Sequence, residues 1–300
     1  MKKTNRRDFL KGALLGTAAA ITTPAFANPR KGMSGLEIVK VARSNITGGL
    51  PLVDACCHYS PTEPNSISAL VKNNANSGIQ GNLFFPNKYP RDETLTKNYN
   101  EEIAKIAAQN TDSKFVGTIC TSAWQPMLDE IKKCKTEYNF SAVIFTFWDS
   151  TQIPPMFLHH LVPLLESAAK LNLPVILPIT KSYQQEFLKL IDKIKDIPGL
   201  TLLLQDYGSF TTWECAKAGK SFGNNHPFYF FTDGSISPDA FKCFKNVFGS
   251  DRLLFGSCGN SNYREVIKNV ENLSLSKDDF KKTCFQNANK LFGFNVKEWK

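Results

Sequence analysis

The sequence predicts an α/β protein folded as a single-domain (β/α)8 barrel, on three observations. From about residue 50 onward, short apolar runs alternate with amphipathic segments, giving about eight strand–helix units in about 250 residues, the size of such a barrel. The predicted strands are almost continuously apolar, as suits a parallel sheet covered on both faces. No glycine-rich turn follows the first strand, which counts against a dinucleotide-binding open sheet, the competing topology.

In chain order the elements read as follows. Leu50–Cys56 is a strand, Ile67–Ala75 a helix, and Gly81–Pro86 a second strand ended by its proline. Thr96–Asn110 is a helix with Tyr99, Ile103, Ile106 and Ala107 on one face, at helical spacing. Phe115–Ile119 is a strand, Gln125–Tyr138 a helix, Ser141–Thr146 a strand and Leu158–Leu171 a helix. Pro174–Pro178, Gln184–Ile194 and Leu200–Leu204 continue as strand, helix, strand. Phe228–Thr232 and Arg252–Phe255 are the last two strands, followed by the helices Ala240–Phe248 and Tyr263–Val270 respectively. Lys277–Phe292 closes the chain as a helix or helix pair.

Ahead of the barrel, Asn5-Arg6-Arg7-Asp8-Phe9-Leu10-Lys11 precedes a small-residue and apolar run from Gly12 to Ile21. Ala25-Phe26-Ala27 then supplies a small-x-small cleavage pattern. A charged start, a short apolar core and a small-residue exit describe a secretory signal, and the paired arginines direct it to the twin-arginine route. The expectation is a signal peptide over 1–27, cleavage after Ala27, a polar lead-in over 28–49, and a periplasmic product whose export partner is the twin-arginine translocase. The apolar core falls short of the ~20 residues that span a bilayer, which argues against an uncleaved anchor.

The chain carries a formal +9. Residues 1–27 hold +4 of this, so a cleaved product would carry +5, spread along the sequence. Nucleic-acid readers concentrate charge in a patch with a recognisable module, and neither is visible. Eight cysteines stand at 56, 57, 120, 134, 215, 243, 258 and 284. Their spacing repeats no module, and most sit in apolar runs, where cysteine behaves as a small buried hydrophobe. Twin-arginine cargo folds before export, so folding cannot depend on disulfides.

In a barrel the functional groups hang from the C-terminal ends of the strands. Those ends carry Asp54, Cys56 and His58; Lys88; Trp148 and Asp149; Pro178 and Thr180; Gln205 and Asp206; Asp233; and Ser257 and Cys258.

Val53-Asp54-Ala55-Cys56-Cys57-His58 is similar to an Asp-x-His-x-His strand. Leu173–Pro178 followed by Pro198–Gly208 forms a second stretch, and Phe248–Cys258 is similar to Asp-Arg-(apolar)-Leu-Phe-Gly-Ser-Asp. Asn98-Tyr99 through Phe115-Val116-Gly117 and the closing Gln286–Gly293 fit the same pattern. Together these resemble the amidohydrolase-related family, the branch of the amidohydrolase superfamily that includes metal-dependent decarboxylases and lactone hydrolases. The resemblance spans residues 50 to 295. It implies a metal site built from two histidines of the first strand, a histidine ending the fifth and an aspartate ending the last, with a catalytic or ligating histidine ending the sixth. In this sequence those positions hold Cys56, His58, Pro178, Cys258 and Asp206. Barrels of this family commonly pair as homodimers.

Two readings of the altered site stand side by side. In the first, Cys56, His58 and Cys258 bind zinc or another divalent metal, since thiolates and imidazole suit zinc. Asp206 then acts as general base in hydrolysis or decarboxylation of a small carboxylate, amide or lactone; if Asp206 coordinates too, the site is closed and structural. In the second, the site is lost and an inactive barrel serves as a periplasmic binding or accessory protein. Pro178 has no side-chain donor, and Cys56 and Cys258, on neighbouring first and last strands, suit a disulfide.

Weaker signals read structurally. Cys56-Cys57 is too tight for a thioredoxin-type pair, and His159-His160 opens a helix and reads as surface. His226 precedes a strand on the side away from the site. Gly219-Lys220-Ser221-Phe222-Gly223 lacks the strand and helix a nucleophile elbow needs. Trp124 and Trp148 follow strands and read as core, with a pocket-lining role as the alternative.

Overall fold

The computed structural model describes residues 50–60, 66–87, 89–146, 157–178, 184–205, 219–220, 226–232, 238–258 and 263–298. All lie in the compact unit formed by residues 40–300. The expected signal peptide (1–27), the whole of the lead-in (28–49), Lys88, Trp148, Asp149, Thr180, Asp206, Cys215, Ser221 and Asp233 lie outside the described residues.

Eight strands form one sheet in sequential order: β1 Leu52–Tyr59, β2 Ile79–Pro86, β3 Lys114–Cys120, β4 Ala142–Thr146, β5 Val175–Pro178, β6 Leu202–Gln205, β7 Phe228–Phe231 and β8 Leu253–Leu254. Every neighbouring pair is parallel. Two main-chain hydrogen bonds join the ends of the sheet, from Ala55 N–H to the Phe255 carbonyl and from Cys258 N–H to the Cys56 carbonyl, both 2.8 Å. The expected (β/α)8 barrel is the architecture observed.

The helices follow in the expected places: α1 Ser66–Asn76, α2 Glu93–Gln109, α3 Trp124–Thr136, α4 Phe157–Lys170, α5 Gln184–Ile194, α6 Pro238–Phe248 and α7 Tyr263–Glu271. The closing stretch is α8 Lys277–Lys281, a π-helical turn over Lys282–Gln286, and α9 Asn287–Phe292. Among the described residues no helix is long and apolar enough to cross a membrane.

Strand side chains alternate in direction, and this separates two cores. Leu52, Leu83, Phe85, Val116, Ile144, Ile176, Leu203, Phe231 and Leu254 belong to one buried cluster that fills the barrel. Phe84, Phe115, Phe145, Val175, Leu202, Phe230 and Leu253 belong to another, packed beneath the helices. Cys57, Cys120, Cys134, Cys243 and Cys284 are buried among these clusters, as small hydrophobes.

The structure moves several predicted boundaries. α2 begins at Glu93 rather than Thr96, because the Asp92 side chain accepts the Leu95 N–H at 2.8 Å and caps the helix earlier. β8 shrinks to two residues because Ser250–Arg252 forms a 3₁₀ turn and Phe255 donates its N–H to Thr283 in the closing helical stretch. β1 runs on to Tyr59, opposite Pro86, so His58 lies within the strand rather than beyond it.

β2 and β3 share register at Leu83↔Lys114 and Phe84↔Phe115. Further along β3 the Asn100 side chain stands in for a strand. Its Oδ1 accepts the Thr118 N–H (2.8 Å), and its Nδ2 donates to the Thr118 carbonyl (2.9 Å) and to Glu130 Oε1 (2.8 Å). This satisfies an edge that would otherwise be buried with open main-chain groups. Burial raises the Glu130 carboxyl above the usual range, the Asn100 hydrogen bond partly opposing the rise.

Candidate metal centre

The site begins with a bulge. Between Asp54↔Asn82 and Cys57↔Phe84 the register of β1 against β2 slips, with Ala55 and Cys56 facing the single residue Leu83. Such a bulge re-aims a side chain at the rim of a sheet. The Asp54 carboxylate holds it, accepting the N–H of Cys56 two residues on at 3.1 Å, the local turn that aspartate favours.

Asp54 also ties the first strand to the last. Its Oδ1 accepts the Ser257 N–H at 3.0 Å and its Oδ2 accepts the Ser257 hydroxyl at 2.6 Å. Asp54 is fully buried and Ser257 nearly so. All three contacts supply hydrogen to an acceptor-only group, the arrangement that stabilises an ionised carboxylate in an apolar setting.

Glycine at 256 permits the close approach. A Cβ there would meet the Cβ of Cys56 at 2.9 Å and the Phe231 ring at 3.4 Å. Two residues later Cys258 adopts φ +47, in the left-handed region that side-chain-bearing residues seldom occupy. Its N–H is held by the Cys56 carbonyl.

These constraints bring Cys56, His58 and Cys258 together, their ligand atoms all within 4.8 Å of one another. Cys56 Sγ lies 2.8 Å from Cys258 Sγ and 3.7 Å from His58 Nε2. The sulfur separation exceeds a disulfide bond of about 2.05 Å. It is shorter than the spacing of about 3.8 Å across a tetrahedral zinc with bonds near 2.3 Å. Cys56 is fully buried, whereas Cys258 and His58 are half-buried. The His58 ring rests at 49° on Phe85, centroids 5.6 Å apart, and Phe85 meets Phe231 edge-on at 5.7 Å. The floor of the site is therefore built of aromatic rings.

Sequence reasoning placed Gln205 at a strand end but assigned it no role. Its Nε2 lies 3.4 Å from His58 Nε2, it is nine-tenths buried, and its Oε1 is buried with no hydrogen-bond partner among the described residues. The signal was available: Gln205 directly precedes Asp206, the position that answers the sixth-strand histidine. Pro178 is the register partner of Gln205 and is half-buried, with no donor to add. Asp206 itself, expected as general base, lies outside the described residues.

The weaker signals resolve as follows. His160 is half-buried in α4 and stacks on Trp124 at 5.5 Å, a packed ring pair rather than the free surface expected. His226 is buried just before β7, at the end of the strand away from Cys56, with Nε2 3.1 Å from the Phe248 carbonyl. Burial, with Arg252 nearby, pushes its pKa down to about 4.

Residues 83–294 match the family model described as Amidohydrolase. A search of curated proteins by sequence finds no match. Among solved structures, a dihydroxybenzoic acid decarboxylase from Polaromonas sp. JS666, with bound manganese and 2-nitroresorcinol, superposes with a TM-score of 0.65 at 17% identity, covering 83% of this chain and 98% of its own. A 5-carboxyvanillate decarboxylase from Sphingomonas paucimobilis gives 0.65 at 12% identity, covering 81% and 99%. A 2,6-dihydroxybenzoate decarboxylase from Rhizobium gives 0.61 at 14% identity, covering 83% and 99%. At these identities the likeness is one of fold.

Proposed function

We propose a function from one premise: the chain belongs to the amidohydrolase family. On that premise the protein is a metal-dependent enzyme that hydrolyses or decarboxylates a small carboxylate, amide or lactone. We place its metal on Cys56, His58 and Cys258. The observation that carries this reading is the convergence of those three donor groups at one point, from β1 and from the segment that follows β8.

The donor set decides which metal fits. Two sulfurs and one imidazole suit a borderline-soft ion such as zinc, while manganese, bound in the Polaromonas structure, favours carboxylate and carbonyl oxygen. Three protein ligands leave an open position, as in catalytic zinc sites. When bound, the metal supplies Lewis acidity toward a substrate carbonyl or carboxylate. The protein's own groups do the rest. Asp54 and Ser257 lock the two sulfur-bearing segments, Phe85 and Phe231 exclude water from beneath, Gln205 presents an amide beside His58, and Asp206, next in the chain, takes the proton as general base.

A second reading is favoured by Pro178, which leaves the fifth strand without a ligand: an inactive barrel that binds a small molecule. Both readings place the protein in the periplasm after export by the twin-arginine translocase and cleavage after Ala27.

Metal analysis of protein purified under reducing conditions separates the two. One equivalent of zinc that is lost in Cys258→Ala is the expected result. Metal-free wild-type protein that stays folded and takes up no added zinc removes the enzyme reading.

A further inference from the structure

We propose that Cys56 and Cys258 are a working thiol–disulfide pair with an order built in: Cys258 attacks the oxidant and Cys56 resolves. The pair uses the same sulfurs as the proposed metal site but does not rest on a metal being bound.

Three observations carry it. The sulfurs lie 2.8 Å apart, although 202 residues separate them in sequence, so little movement is needed to bond them. Their backbones are already clamped by the Cys258 N–H to Cys56 carbonyl hydrogen bond at 2.8 Å and by the Asp54–Ser257 contacts. Access is unequal, since Cys56 is fully buried and Cys258 half-buried. Cys57, adjacent in sequence, does not compete. It belongs to the cluster beneath the helices, on the other side of the strand from Cys56.

The oxidant is a small disulfide of the glutathione class. Cys258 thiolate attacks one of its sulfurs, forming a mixed disulfide and releasing one thiolate. Cys56 thiolate then attacks the Cys258 sulfur, breaking that mixed bond and releasing the second. The two protons of the cysteine thiols end on the two departing thiols, and two electrons pass from the protein to the oxidant. The left-handed backbone at Cys258 is a conformation other contacts must enforce, so the pair is presented rather than met by chance.

The test is mass spectrometry of the full-length protein, reduced, freed of reductant and then exposed to oxidised glutathione. Wild type should lose two hydrogens and yield one cross-linked peptide pair containing Cys56 and Cys258. Cys56→Ser should stop at a single glutathione adduct on Cys258, and Cys258→Ser should leave Cys56 unmodified. An adduct that forms first on Cys56, or a folded wild type with no Cys56–Cys258 cross-link, overturns the proposal. The wild-type arm decides even if a variant fails to fold. A parallel sample preloaded with zinc keeps the two ideas apart. Oxidation at an unchanged rate removes the metal reading and leaves the cysteine pair standing.

Discussion

The carboxylate of Asp54 receives both the main-chain N–H and the hydroxyl of Ser257, at 3.0 and 2.6 Å, across 203 residues of sequence. Asp54 lies two residues before Cys56, and Ser257 one residue before Cys258. One buried side chain therefore sets the distance between both sulfurs. Replacing it with alanine strands three donors in a dry interior. Asp54→Ala should lower unfolding free energy by about 3 kcal/mol or more, since hydrogen bonds to charged groups are worth about 1.5–3 kcal/mol each. Urea denaturation measures this, and Asp54→Asn, which keeps one acceptor oxygen, should recover part of the loss.

Gly256 makes a second prediction. A methyl there would press on Cys56 Cβ at 2.9 Å, and neither β1 nor the segment after β8 can retreat without giving up the Asp54 contacts. Gly256→Ala should cost about 1–3 kcal/mol, the usual range for overpacking a tight interior. It should also slow Cys56–Cys258 cross-linking. A variant as stable as wild type, with unchanged cross-linking, would show that the two segments approach less closely than described.

Gln205 faces His58 Nε2, the ring nitrogen that lies 3.7 Å from Cys56 Sγ and would hold zinc in the metal reading. An amide N–H donated to that lone pair competes with the ion. Gln205→Leu should therefore tighten zinc binding by roughly fivefold, the equivalent of about 1 kcal/mol for one hydrogen bond. Competition titration with a chromophoric chelator reads this directly. Weaker binding in the variant would instead mark Gln205 Oε1 as a ligand.

His226 gives the pH dependence. Its folded pKa is about 4, from a usual 6.5, because burial among Phe228 and Phe248 opposes the charged form. The unfolded chain thus binds a proton between pH 6.5 and 4 that the native chain refuses, so stability is full above 6.5 and falls as pH drops through that window. Discounted for solvent screening, the loss is on the order of 1–2 kcal/mol at pH 4. Urea midpoints measured across that range should slope for wild type and flatten for His226→Gln.

The element order was legible because it depends on local patterns. Alternating apolar runs and amphipathic segments register within a few residues, and every predicted strand has its counterpart among β1 to β8. The errors were local as well. Asp92 capped α2 before its apolar periodicity began, and the 3₁₀ turn at Ser250–Arg252 shortened β8. The candidate ligands were legible for a related reason. Barrel strands all point the same way, so reading strand ends along the chain lists the groups at the mouth, and Cys56, His58 and Cys258 were on that list.

By itself the sequence determined the barrel, the family it resembles and the residue types available at the rim. Tertiary structure alone decided how those residues meet. The bulge at Ala55–Cys56 is set by register against Leu83. The sulfur contact and the approach of Gln205 to His58 join residues 202 and 147 apart. Periodicity carries no information over such separations. Less than about 2 Å between neighbouring sulfurs, the difference between a disulfide and a metal ligand pair, is fixed only when the two ends of the sheet close on each other.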